Sequence, residues 1–258
     1  KVGTPHAERD ALSKLQGDEA KGATAYVTLE PCSTHGRTGA CTEALILSGV
    51  AKVVYGARDP NPSHVGGADE ILSAAGIQVV SGVLEEECRE LIRGFAMVQM
   101  EGRPWVIAKT AMSLDGRITR PPGEGQWLSG SSAREEVQQL RTEVDAILTS
   151  GETVRRDDPA LTLRGPEIPC GKMQPWRVVM TRRDLDREGL QLFEDEWKER
   201  TLVFKKQSKY EVLRTLASEH GVNTVLLEAG GSLLGSFLDD GLIAEWIIYL
   251  APLVTGGT

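Results

Sequence analysis

The sequence has no apolar run of about 18 residues, no basic-then-apolar leader, no internal repeat and no low-complexity tract. Without the first two, neither a membrane span nor a secretory signal is expected, and the expected location is the cytoplasm. Cysteine is scarce. Cys32, Cys41, Cys88 and Cys170 are too few and too scattered for a disulfide scaffold in 258 residues, and the close pair suits metal ligation better. A basic stripe is also missing: 29 Lys and Arg against 37 Asp and Glu leave a formal charge of −8, with the cations dispersed. A nucleic-acid binder displaces counterions with clustered cations, so nucleic acid is not an expected partner, and neither is a membrane.

What is present is an ordinary globular composition, 40% hydrophobic and 26% charged, in a chain long enough for two modest domains. Apolar runs and helical patterns alternate. Strands are predicted over Ala25–Leu29, Val53–Ala57 and Ile77–Val80, and helices over His6–Leu15, Thr42–Leu47, Glu70–Ala75 and Glu85–Met100. Gly102-Arg103-Pro104 interrupts the pattern and reads as a linker between domains over 1–100 and 104–258. Beyond it strands are predicted over Trp105–Ala111, Ala146–Leu148, Arg177–Met180, Thr201–Phe204, Thr224–Leu227 and Glu245–Leu250. Helices are predicted over Ser131–Arg141, Tyr210–His220 and Leu233–Asp240. Such alternation is the mark of an α/β fold in both halves.

The chemistry-bearing pattern is His6-Ala7-Glu8, one predicted strand, then Pro31-Cys32 and Cys41. An imidazole and two thiolates suit tetrahedral zinc, and three protein ligands leave the fourth position for water. Residues two apart do not share a face inside a helix, so His6 and Glu8 can serve one site only at a helix mouth; Pro5 and Pro31 place both His6 and Cys32 near expected helix starts. Glu8 would move protons rather than bind metal, as in the zinc nucleobase deaminases that carry His-x-Glu and Pro-Cys. Those use Cys-x-x-Cys, whereas eight residues separate Cys32 from Cys41 here. The plainer alternative is a surface histidine, two core thiols and a first-turn acid; His35 and His64 are the other candidate ligands.

Together with the wide cysteine spacing, Thr28-Leu29-Glu30-Pro31-Cys32-Ser33-Thr34-His35-Gly36-Arg37-Thr38 and Asp59-Pro60-Asn61-Pro62 resemble the deaminase half of the bifunctional deaminase-reductase family of riboflavin biosynthesis. Lys109, Ser113-Leu114-Asp115-Gly116-Arg117, Gln126-Trp127, Gly151-Glu152-Thr153-Val154, Asp157-Asp158-Pro159-Ala160-Leu161 and Glu228-Ala229-Gly230-Gly231 resemble its reductase half. The resemblance implies a cytidine-deaminase-like α/β/α domain followed by a dihydrofolate-reductase-like α/β domain. It implies zinc and NADPH as cofactors, a pyrimidine ribosylamine phosphate as substrate, and a homo-oligomer. Zinc hydrolysis would remove the ring 2-amino group, and NADPH would then reduce the ribosyl side chain to ribityl. It also implies that family segments upstream of His6 and downstream of Thr258 are missing.

Carried over by resemblance, Glu8 is the catalytic acid-base and His6, Cys32 and Cys41 are the metal ligands. Ala111, Trp127, Thr153, Asp157 and Gly230, Gly231, Ser232, Leu233, Leu234, Gly235, Ser236 correspond to NADPH contacts. Gly125, Arg141, Leu161, Arg164 and Glu228 correspond to substrate contacts; Gly125 stands where some members have serine, leaving only a backbone contact. On physical grounds, glycines at a strand-to-helix junction let backbone amides meet a phosphate, and a guanidinium can bind a sugar phosphate with two hydrogen bonds. Three readings stay open at this stage: the bifunctional enzyme, a monofunctional zinc pyrimidine or nucleoside deaminase with a non-catalytic second half, and an inactive zinc-binding fragment.

Overall fold

The computed structural model describes residues 5–34, 39–61, 67–120, 128–165 and 168–256. The chain divides into two compact units, 1–101 and 102–258, each with its own sheet. Gly102, in the left-handed region at φ +69°, lies at the junction.

The first unit runs α1 (Ala7–Ser13), β1 (Thr24–Leu29), α2 (Cys41–Ser48), β2 (Lys52–Ala57), α3 (Gly67–Ala74), β3 (Gln78–Val80), α4 (Glu85–Leu91) and α5 (Arg93–Glu101). Its three strands are parallel in the order β1-β2-β3. Central β2 is buried from Val53 to Ala57, as a strand covered on both faces should be, while β1 alternates and leaves Tyr26 in solvent. Leu45, Val53, Ala68, Leu72 and Ile77 form the core. The single helix predicted over Glu85–Met100 is in fact two. Ile92 leaves helical geometry (φ −104°, ψ 7°), where a β-branched residue and nearby Gly94 both weaken a helix interior.

The second unit contains β4 (Trp105–Ser113), α6 (Ser131–Glu143), β5 (Ala146–Ser150), α7 (Gly151–Asp157), β6 (Trp176–Thr181), α8 (Gln191–Glu194), a 3₁₀ turn (Lys198–Arg200), β7 (Thr201–Lys205), α9 (Lys209–His220), β8 (Thr224–Leu227), α10 (Gly231–Asp239) and β9 (Glu245–Ala251). Six parallel strands lie in the order β7-β6-β5-β8-β4-β9. Alternate residues feed two cores. Val106, Leu148, Val178 and Val225 meet Val212, Leu216 and Phe237 of α9 and α10. Ile107, Ile147, Val179 and Leu226 meet Val154 of α7, Leu161 and Leu192.

Among the described strand residues, one buried side chain is charged. Arg177 on β6 is 1% exposed, and its five N–H groups are all used: Nε reaches Thr201 Oγ1, Nη1 reaches the Ala160 carbonyl and Asp195, and Nη2 reaches the Leu192 carbonyl and Asp195. A guanidinium buried this deeply is tolerated because every donor finds an acceptor. Hydrogen bonds from Arg177 hold the Asp195 carboxyl below its usual range against the opposing effect of burial. The contact with Ala160 fastens the loop that follows α7.

Replacing Arg177 with Met should therefore strand Asp195 and free that loop, lowering the unfolding free energy by about 3–5 kcal/mol in a urea titration at neutral pH. Because the folded carboxyl pKa is depressed, its stabilisation is complete above the unfolded value of about 3.9 and disappears as pH falls through the folded one. The gap between wild type and variant should accordingly narrow in strong acid; a gap independent of pH would contradict this account.

Candidate functional site

In the first unit the candidate ligands converge. His6 is the N-cap of α1 and Glu8 lies in its first turn, which satisfies the two-residue spacing. Cys41 opens α2, and Cys32 lies in the loop after β1. Pro31 thus does not begin a helix at Cys32; the helix start belongs to Cys41, and the extended chain leaving β1 delivers Cys32 instead. His6 Nδ1 stands 3.4 Å from the sulfur of each cysteine. All three ligand atoms lie within 4.8 Å of one another. A sulfur and a nitrogen bound to one tetrahedral zinc would be about 3.5 Å apart, so the triad fits that ion as it stands. His35 and His64 lie outside the described residues.

Electrostatics point the same way. The Cys41 thiol and backbone N–H both hydrogen-bond Cys32 and bring its pKa down to about 5, although burial opposes this. That hydrogen bond, burial and the Glu8 carboxylate beside it push the Cys41 thiol upward. Two thiolates at such range repel unless a cation lies between them, and a dication removes that penalty.

Two residues missed in the sequence hold this cluster. Arg9, next to Glu8, donates from Nε to the Gly39 carbonyl (2.8 Å) and from Nη2 to the Ala40 carbonyl (2.9 Å), tying α1 to the N-terminus of α2. A side chain on Gly39 would meet that guanidinium at 2.6 Å. Glu30 is 2% exposed, and its carboxylate accepts from the backbone N–H of Asp59 and of Ala68, each at 3.3 Å, fixing the chain just before Cys32. The one available clue was its place between a strand end and Pro31-Cys32. His6, Glu8, Cys32, Glu30, Asp59 and Asn61 line part of a cavity of about 990 Å³.

In the second unit a cavity of about 930 Å³ follows the carboxyl edge of the sheet. Gly230, the N-cap of α10, and Gly231, Ser232, Leu233 and Ser236 line it with Thr153 and Asp157 of α7. A side chain on Gly230 would meet no protein atom within 4 Å, so the helix mouth is open to a ligand. Ser150 caps α7, its oxygen accepting from Thr153 N (3.0 Å). Gly151 packs so tightly that a Cβ there would lie 2.6 Å from Thr181 Oγ1. Leu234 instead faces the core, and Gly235 and Ala111, the latter on β4, lie outside the cavity lining. Trp127 and Gly125 lie outside the described residues.

Of the residues expected at the substrate, Arg141, Leu161 and Glu228 lie apart from that cavity lining, with Arg141 and Leu161 buried and Glu228 half-buried. Arg141 of α6 is 7% exposed and grips Glu228 with Nε (2.7 Å) and Nη2 (3.1 Å), while Nη1 reaches the Thr162 carbonyl (3.2 Å). Its two-pronged partner is thus Glu228, in place of the free guanidinium expected to await a phosphate. Lys109 Nζ lies 3.9 Å from the same carboxylate. Burial disfavours the Glu228 anion, but Arg141, Lys109 and Arg164 outweigh it and keep its pKa below the usual range. Leu161 is buried at φ +49°, and Arg164 is exposed nearby.

Residues 1–57 match the cytidine and deoxycytidylate deaminase zinc-binding region, and residues 104–258 match the RibD C-terminal domain. Riboflavin biosynthesis protein RibD of Escherichia coli is 41% identical, covering 99% of this chain and 77% of the relative. That of Mycobacterium tuberculosis is 42% identical, covering 99% and 74%. The chain belongs to the RibD family. Among solved structures, Acinetobacter baumannii RibD superposes with a TM-score of 0.88 at 39% identity, covering all of this chain and 76% of that one. A Thermotoga maritima protein described as a diaminohydroxyphosphoribosylaminopyrimidine deaminase/5-amino-6-(5-phosphoribosylamino)uracil reductase gives 0.84 at 33% identity, covering 99% and 75%. As a RibD-family enzyme of riboflavin biosynthesis, the chain joins a zinc-binding deaminase domain to a reductase domain.

Purified chain should carry zinc measurable by elemental analysis at about one ion per molecule, and His6→Ala or Cys32→Ser should remove it. Arg9→Met, which touches no ligand atom, should retain zinc but weaken its affinity about 10–100-fold in a chelator competition. Unchanged affinity would mean that Arg9 does not hold the cluster.

Proposed function

We propose that the first unit deaminates the pyrimidine ring of a diaminopyrimidinone ribosylamine 5′-phosphate by hydrolysis, and that the second reduces the ribosyl side chain of the product to ribityl with NADPH. The observation that carries the first half is the His6, Cys32 and Cys41 triad at zinc spacing, with the Glu8 carboxylate against it. Zinc held there supplies the means to acidify water near neutral pH. Glu8 then accepts the proton from water and delivers it to the departing amine, so that one water enters and one ammonia leaves. Its place in the first turn of α1, lining the cavity, gives the carboxylate access to both positions.

For the second half, the open mouth of α10 suits a cofactor phosphate, where backbone N–H groups and the helix dipole meet the anion. A volume of about 930 Å³ is at the upper end of cofactor pockets. Thr153, Asp157 and the Gly230–Ser236 stretch serve the cofactor in this reading, with Ala111 and Trp127. Glu228, Leu161, Arg164, Arg141 and Gly125 serve the substrate. Arg141 acts by fixing Glu228 and the 158–163 loop, while exposed Arg164 remains available to a phosphate. None of the four cysteines is in a disulfide, in keeping with a reducing cytoplasm, and Trp246, Ile248 and Leu250 on edge strand β9 present an apolar strip suited to a homo-oligomer. No helix among the described residues is long and apolar enough to cross a membrane.

Ring deamination and NADPH oxidation can be followed separately by absorbance. Glu8→Gln should lower deamination by at least about 10²-fold while leaving zinc content and reduction of the deaminated intermediate intact. Loss of both activities together, or retention of deamination, would overturn the division of labour.

A further inference from the structure

Two strands beyond β5 from β8, which leads to Glu228, the cavity holds residues that neither half of the proposed chemistry uses. It opens over the carboxyl ends of β6 and β7, where Thr181 pairs with Lys205 in register. The next residues, Arg182 and Lys206, therefore leave the ends of adjacent strands. The Lys206 backbone N–H donates to the Thr181 carbonyl (2.9 Å), and its φ of +58° turns the chain at the rim. Both side chains are exposed, both line the cavity, and among the described residues neither charged head is in a hydrogen bond or ion pair.

The acids nearby are already paired. Glu152 accepts from Arg183 (2.6 Å) and lies 3.4 Å from Arg155. Asp184, which feels Lys206 electrostatically, is bonded to Lys205. Arg155 is itself committed to Thr181 Oγ1 and the Asp184 carbonyl. What remains is two uncommitted cations lining the same cavity just past adjacent strand ends, with no uncommitted carboxylate beside them in its lining. A site selecting NADH offers a carboxylate to the adenosine ribose 2′-hydroxyl, whereas one selecting NADPH offers cations to the 2′-phosphate.

Length sets the direction. The α10 mouth, where a pyrophosphate would dock, lies between Glu228 at the end of β8 and the β6–β7 rim, since β5 and then β6 and β7 follow β8 in the sheet. With the reacting end near Glu228 and the phosphates at Gly230 and Gly231, the adenosine end reaches Arg182 and Lys206. We infer that Arg182 and Lys206 bind the 2′-phosphate of the dinucleotide and set its preference for NADPH over NADH. This rests on the NADPH reading above.

The test is calorimetric titration of the zinc-loaded full chain with NADPH, NADH and 2′,5′-ADP. Wild type should bind NADPH more tightly than NADH and should bind 2′,5′-ADP. Arg182→Ala/Lys206→Ala should weaken NADPH and 2′,5′-ADP about 10–100-fold, the value of charge-assisted hydrogen bonds to a phosphate, while NADH affinity shifts less than about twofold. Preserved NADH binding also reports that the variant is folded. Equal loss of both dinucleotides would assign the pair to general attraction of the pyrophosphate and overturn the inference, as would unchanged selectivity. Wild type that binds neither dinucleotide would bring down the cofactor reading itself, a different result from either.

Discussion

Parallel pairing governs this molecule. When neighbouring strands run the same way, each connection must cross back over a face of the sheet, and every strand ends at the same edge. Helices then cover both faces, and the carboxyl edge is the open place where loops from distant parts of the chain meet. In the first unit that edge receives Glu30 and Cys32 from β1 and Asp59 from the end of β2. In the second it receives Ser150 from β5, Thr181 from β6 and the glycines after β8.

Edges collect residues without fixing them, and here buried arginines do the fixing. Arg141 and Arg177 each hold a carbonyl of the loop after α7, Thr162 and Ala160 respectively, while Asp158 accepts from Gln191 N (3.0 Å) at the start of α8. That loop contains Leu161 and leads from Asp157 to Arg164, so it joins the cavity of the second unit to the Arg141–Glu228 pair. Such donors repay their desolvation only when all their partners are present. Arg9 plays the same part in the first unit, with Gly39 and Ala40. Both sites are thereby held by side chains that need not touch a ligand.

Much of this could be read in the sequence, and the reasons are local. Val53-Val54-Tyr55 and Thr224-Val225-Leu226-Leu227 are apolar runs of strand length, and the structure has strands at both. His6 and Glu8 point to a helix mouth because their spacing forbids any other shared face. Helix α7 went unread because Gly151 and a charged stretch hide any apolar period, though Ser150 before it was a usable cap signal. The break at Ile92 and the loop placement of Cys32 depend on tertiary packing that overrides propensity. In sequence Arg141 is a candidate phosphate contact and Arg177 the start of a strand, and neither shows its acceptors, which are far along the chain: Glu228 lies 87 residues from Arg141. Burial of a charge becomes legible only when its partner is known.

The strand order has a consequence for how the second unit is made. β4 and β5 are its first strands, yet they never touch: β8 lies between them. A growing chain that has emitted β4, β5 and β6 can pair the last two, but it must keep β4 apart and both facing edges unsatisfied until residues 224–227 arrive. Contacts of such sequence separation slow folding and leave sticky edges exposed during synthesis. The same late strand delivers Glu228 to Arg141, so the join between β4 and β5 and the Arg141–Glu228 pair form in one step, and a nascent unit lacking β8 has neither.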